Sequence, residues 1–235
     1  LIKFRKVSHM IKNSVFIKWT AIVFTLVLCI YLIAQEDLSE FLKSTKLINS
    51  DHPSIIKKVK ELTEECKTQE KKAKILFEYV RDSYDRSIYE SFKASDVLEG
   101  RGNLCYQRAT LLAALCRSSG IPACLSLQKV TMIRGKKKGV FAHAVTGIYL
   151  NREWHLYETT GNEEKWIALT GQKERGNEMP VEFYPDRDCL FIDNDRVKTK
   201  NIHVRFTGWT EEMLEAIKKI DGCKYIKNFE QFNLK

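Results

Sequence analysis

Hydrophobic positions change their period twice along the chain, dividing it into an apolar head, a helical first half and a stranded second half. Trp19 to Ala34 reads WTAIVFTLVLCIYLIA, sixteen residues without a charge. Val15, Phe16 and Ile17 lengthen that run once Lys18 turns its ammonium toward the interface, which makes it long enough to span a bilayer. A transmembrane signal anchor is therefore expected over 15–34, behind a basic cytoplasmic head over 1–14. Lys3, Arg5, Lys6 and Lys12 precede it while Glu36 and Asp37 follow, and by the positive-inside rule this places the bulk of the chain outside the cytoplasm. Leu32 and Ala34 also make a passable cleavage site, so the rival reading is a signal peptide and a secreted chain. Cys29 is discounted as a lipidation site because Leu28 before it is too large. A plain core helix accounts less well for the basic flank.

Residues 35–52 are polar and mixed, as suits a linker, and the domain is expected over 53–225 with a tail at 226–235. Pro53 sits well at a helix start with Asp51 as cap, and Ile55, Ile56, Val59, Leu62 and Cys66 then recur at helical spacing. A second helix is expected from about Gln69 to Asp85, with Ala73, Leu76, Phe77, Val80 and Tyr84 on its apolar face. The segment GRGNLCYQRATLLAALCRSSG, from Gly100 to Gly120, opens as a glycine-bearing loop. It continues as a helix with Cys105, Ala109, Leu112 and Cys116 on one face. Gly120 suits a left-handed stop, and Pro122 prevents continuation. Cys105 thus falls in the first turn of a central, buried helix.

Beyond it the period becomes alternating, in IPACLSLQKVTMI, GVFAHAVTGIYL and REWHLYETT, which predicts strands. Shorter strands are expected around Val181 to Tyr184, Cys189 to Asp193 and Ile202 to Phe206. Thr210 then caps a last helix that turns Met213, Leu214, Ile217 and Ile220 inward. No internal repeat or low-complexity stretch interrupts the pattern.

At 235 residues and 44% hydrophobic content, the chain suits one core with appendages rather than two domains. Its formal charge of +9 drops to +4 once the five bases ahead of Glu36 are set aside, which is an ordinary surface. Without a basic stripe interleaved with aromatics, nucleic acid is not an expected partner. The bases of the RGKKKG hairpin tip read as solvated turn residues. Seven cysteines contain no CxxC pair, which argues against a zinc ribbon. Apart from Cys29 and Cys105, the remaining five are an odd set in mostly apolar surroundings, so buried free thiols are expected. The DNDR run at Asp193 to Arg196 begins like a calcium loop, but Val197 and Lys198 break the ligand pattern. His155 and Glu158 point to opposite faces of a strand, which weakens a metal pair. No metal or cofactor is required.

A thiol at neutral pH is mostly protonated, and a helix N-terminus or a neighbouring imidazolium favours its thiolate. Cys105 has the first by placement. Of the five histidines, His9 precedes the apolar head and His52 lies in the linker, leaving His143, His155 and His203. His143 is preferred, because it stands mid-strand on one face with Phe141, Val145, Gly147 and Tyr149, where a half-buried polar group needs a partner. Glu158 shares a face of the adjoining strand with Trp154 and Leu156. A hairpin joining the two strands brings His143 toward Glu158, with the register left open by spacing alone. Helix nucleophile, strand base and strand acid are the parts of a thiol acyl-transfer relay.

These residues resemble the transglutaminase-like superfamily. Its pattern is a glycine-bearing loop, Cys, a helix leaving through Gly-Ile-Pro-Ala, then His-Ala, then Trp followed by Asp and Thr. Here the elements read GRGNLCYQRATLLAALCRSSGIPA, FAHAV and WHLYETT, and the resemblance covers about Pro53 to Thr160. It implies an α+β fold with a papain-like, transglutaminase-like core, in which the nucleophile helix packs on an antiparallel β-sheet, here preceded by the N-terminal transmembrane helix. It also implies a catalytic triad of Cys105, His143 and Glu158.

Glu158 departs from the usual Asp by one methylene, so its strand must stand slightly farther from the imidazole. Val145 replaces a frequent aromatic and Cys124 a frequent Arg, changes that touch substrate shape more than chemistry. The implied activity is that of a cysteine acyltransferase, or an amide or peptide hydrolase. It would work through a thioester on extracytoplasmic protein or peptide substrates, attached to the membrane by its N-terminal helix. The Cys105 N–H would hold the oxyanion together with either Asn103 or Gln107. The rival function is a noncatalytic binding or scaffolding module with the same fold.

Overall fold

In a computed structural model of the protein, the described residues are 36–83, 91–100, 102, 104–134, 137–159, 181–190 and 197–222. They form five helices and four strands: α1 Pro53–Thr63, α2 Gln69–Asp82, α3 Ala94–Leu98, α4 Cys105–Ser118, β1 Ala123–Arg134, β2 Lys137–Leu150, β3 Glu153–Tyr157, β4 Val197–Phe206 and α5 Glu211–Asp221.

Local chemistry explains most of the boundaries. His52, not Asp51, caps α1, its Nδ1 accepting from the Ser54 N–H, with Pro53 in the first turn where its missing N–H costs nothing. Thr68 caps α2 and Thr210 caps α5 in the same way. Gly120 takes a positive φ of 79° just past α4, as its place ahead of Pro122 anticipates. The one-turn α3 is too short to leave a helical period.

The sheet runs β3-β2-β1-β4 and every pairing is antiparallel. One face carries Ala142, Ala144, Ile148 and Tyr157 into the core beside the helices. There α4 packs on β2 and β1, with α1, α2 and α3 around its other sides. Leu47 and Ile48, ahead of Pro53, belong to the same core, held by the Ala94 N–H donating to the Leu47 carbonyl at 2.8 Å. Asn49 and Ser95 seal that contact with two hydrogen bonds of 3.0 and 3.1 Å.

The expectations at Val181 to Tyr184 and around Cys189 differ from what is found. The first stretch is not a strand, and Cys189 makes only an isolated bridge to Tyr157. Residues 191–196, with the DNDR run, lie outside the described residues, and the expected strand at Ile202 to Phe206 is the end of a longer β4.

The expected fold class needs one correction. Among the described residues no helix is long and apolar enough to cross a membrane, so the architecture they show is α+β, an antiparallel sheet with packed helices. The segment 15–34 on which that helix was expected lies outside the described residues. Three expectations rested on it, namely attachment to the membrane through an N-terminal helix, a single-pass location and an extracytoplasmic domain, and they are withdrawn with it. The hydropathy of a segment measures its transfer cost and does not by itself establish a membrane helix.

One glycine in the sheet is demanded by packing. A Cβ on Gly147 would lie 2.4 Å from the Cys124 sulfur and 3.6 Å from the Trp154 ring, and Cys124 is fully buried. Gly147→Ala is expected to lower stability by about 1–3 kcal/mol through overpacking, measured by urea unfolding. The double variant with Cys124→Ala should recover most of the loss.

Candidate active site

The site grows from the start of α4. Leu104 occupies the cap position but has no side-chain acceptor, and Gln107 compensates, its Oε1 accepting from the Leu104 N–H at 2.8 Å. Its Nε2 donates to the Ser91 carbonyl at 2.7 Å, so this amide fastens the preceding loop to the helix. Gly102 leaves it room, since a Cβ there would come within 2.7 Å of the Gln107 Cδ. Of the two residues expected to assist the oxyanion, Gln107 makes these two bonds, and Asn103 lies outside the described residues.

Cys105 follows as the first helical residue, a free, half-buried thiol at the edge of the core. Its thiol lies close enough to His143 to favour the charged form of the imidazole. The His143 Nε2 hydrogen-bonds the Glu158 carboxylate. His143 is 5% exposed and Glu158 1%. Burial pushes the imidazole toward its neutral form, but the charges of Glu158 and Cys105, with hydrogen bonds to both, outweigh it and hold the His143 pKa well above the ordinary histidine value. The three residues singled out from the sequence therefore lie close together, one at a helix tip, one in β2 and one just past the end of β3.

The register explains how a glutamate fits. Tyr157 pairs with Thr146, so Glu158 follows the last paired position and lies diagonal to His143, a spacing of roughly 7–8 Å in antiparallel sheets that favours the longer side chain. Its backbone is fixed from outside the sheet. The Glu158 N–H donates to the Cys189 carbonyl at 2.9 Å and the Cys189 N–H to the Leu156 carbonyl at 2.8 Å, while Asp188 accepts from the Leu156 N–H at 2.8 Å.

Arg108 is a contributor that motif reading passes over. Fully enclosed one turn above Cys105, its guanidinium donates to the carbonyls of Val80, Arg81 and Thr159, thereby joining α4 to the residue after Glu158. The signal was present, because an arginine on the face that carries Cys105, Ala109 and Leu112 must find acceptors inside. Other histidines have separate tasks. His52 caps α1, and the buried His155 lies 3.8 Å from Glu153. The His203 side chain lies outside the described residues.

A thiol at a helix tip beside a buried histidine–carboxylate pair is an arrangement of the kind that papain-like cysteine folds use. Residues 56–169 match the family model described as the transglutaminase-like superfamily. The match is to that superfamily as a whole and singles out no narrower family within it. No curated protein matches the chain. Among solved structures, a candidate cysteine protease from Cytophaga hutchinsonii aligns at 20% identity and a TM-score of 0.42, over 55% of this chain and 44% of that one. A candidate protease from Parabacteroides distasonis aligns at 14% identity and a TM-score of 0.34, over 51% of this chain and 24% of that one. The chain thus spans less than half the length of either, and at these scores neither alignment adds to the fold described above.

The raised His143 pKa fixes a sign. Its ionisation stabilises the folded chain fully below the unfolded value near 6.5, and the contribution disappears as pH rises through the higher folded value. Glu158→Gln removes one of the charges that hold it up, so the His143 titration midpoint should move downward in that variant, as followed by NMR of the imidazole. A wild-type midpoint at or below that of a free histidine would contradict the described pairing.

Proposed function

We propose that the chain is a transglutaminase-like cysteine enzyme that transfers or hydrolyses acyl groups, with Cys105 as nucleophile, His143 as acid and base, and Glu158 as the residue that orients the histidine. What carries the reading is the hydrogen bond of the Glu158 carboxylate to a buried imidazole whose charged form the Cys105 thiol at the tip of α4 also favours. A carboxylate on Nε2 sets the tautomer and steadies the imidazolium, which is the role of the third member of such relays.

The Cys105 thiolate attacks the carbonyl carbon of a carboxamide or peptide bond in a protein or peptide. As the C–N bond breaks, the His143 imidazolium gives its proton to the departing ammonia or amine, and a thioester remains on sulfur. His143, now neutral, takes a proton from water or from a second amine as either attacks the thioester. Water yields the carboxylic acid and an amine yields a new amide, and solvent access to the thioester selects between them.

Labelling with a small thiol-directed electrophile at neutral pH tests the proposal. Cys66 is the fair comparator, being like Cys105 a half-buried free thiol, whereas burial pushes the Cys116 and Cys189 thiols up. Cys105 should react fastest, and His143→Ala should slow it on the order of 10²- to 10⁴-fold. Cys105 reacting no faster than Cys66 would leave the chain as a noncatalytic binding module. A glutamine peptide offered with and without a primary amine then distinguishes ammonia release, cleavage and amine incorporation.

A further inference from the structure

Ala142, the residue before His143, has both polar groups of its backbone held by side chains from two other elements. The Tyr106 hydroxyl donates to its carbonyl at 2.8 Å, and Asp221 Oδ2 accepts from its N–H at 2.8 Å. β3 pairs with β2 only between Thr146 and Leu150, so on that side of Ala142 the sheet offers no neighbouring strand among the described residues. A phenol and a carboxylate supply the bonds that a strand would have made. Both are buried, Tyr106 at 2% and Asp221 at 7% exposure.

The placement is specific to the catalytic pair. Tyr106 directly follows Cys105 and Ala142 directly precedes His143, so one hydrogen bond connects the immediate neighbours of sulfur and imidazole. Asp221 is the last residue of α5, a helix beyond the segment 56–169 that the superfamily model covers. Trp209 seats the approach to that helix, its Nε1–H donating to Thr110 Oγ1 at 2.9 Å while its ring lies 5.6 Å from that of Tyr106.

We propose that Tyr106 and Asp221 are positioning residues for the reaction, fixing the Ala142 peptide from both of its polar groups so that His143 stays aligned with Cys105. Neither touches the reacting atoms, and the inference rests on the acyl-transfer reading above. Alignment is what such a clamp supplies, since a misplacement of about 1 Å costs on the order of 10²-fold in rate.

The test uses the full chain, chloroacetamide at neutral pH, the ultraviolet absorbance of the Cys105 thiolate, and thermal unfolding as a control. Tyr106→Phe and Asp221→Ala should each slow alkylation of Cys105 by about 10-fold or more and lower the thiolate signal. Asp221→Asn keeps an acceptor oxygen and should restore the wild-type rate. Thr146→Val removes a different bond between α4 and β2, that from Thr146 Oγ1 to the Ala109 carbonyl at 3.1 Å. It should reduce stability while leaving alkylation unchanged. Tyr106→Phe preserves the buried ring and loses only the hydroxyl, so it decides the matter even where Asp221→Ala fails to fold. Wild-type reactivity in Tyr106→Phe, or equal slowing by Thr146→Val, overturns the inference. Wild-type Cys105 no more reactive than Cys66 would instead defeat the acyl-transfer reading, and this inference with it.

Discussion

Enclosure of α4 is the constraint on which the other elements depend. Every residue from Tyr106 to Arg117 is buried, and a helix covered on all sides must satisfy its polar side chains within the protein. Thr110 donates back to the Tyr106 carbonyl at 2.7 Å and accepts from Trp209. Arg108 reaches the end of α2 and the peptide after Glu158. Each polar residue that could have destabilised the core instead attaches a separate segment to the helix. The sulfur at its tip is consequently presented by the most enclosed element described.

Burial has a second consequence, at the histidine. A lone carboxylate at the depth of Glu158 would be costly to ionise, and a lone imidazolium at the depth of His143 equally so. Together they offset one another, and the net result is an imidazole whose pKa stands well above the ordinary histidine value. The pair is therefore better understood as setting geometry and protonation than as contributing stability.

Much of this was legible in the residues. The change from a helical to an alternating period located α4, β1, β2 and β3, and the GIPA exit with its glycine marked the end of the nucleophile helix. Cys105, His143 and Glu158 could be singled out because few histidines exist and their faces follow from strand parity. Their meeting could not, since it depends on the β2–β3 register. The stretch from Val181 to Tyr184 reads as a strand because Val181 and Phe183 alternate inward, yet the outer edge of β3 is taken by Asp188 and Cys189. Short α3 has too few positions to show a period. Asp221 lay concealed as an ordinary acidic residue at a helix end, where only the fold reveals that it faces a strand edge. The apolar run over 15–34 was strong as composition, but no membrane-crossing helix belongs to the described architecture.

Arg117 shows where this folding unit can be cut. Its guanidinium donates to the Ala123 carbonyl through Nε and Nη2, to that of Lys43 at 2.7 Å and to that of Thr207 at 2.6 Å, so one cation staples three stretches far apart in the chain. A fragment trimmed to the superfamily segment alone would lose two of those acceptors and strand a positive charge in a water-poor interior. Excision, domain grafting or circular permutation of this protein therefore has to retain the chain from before Lys43 to beyond Thr207, margins that the catalytic motif itself does not mark.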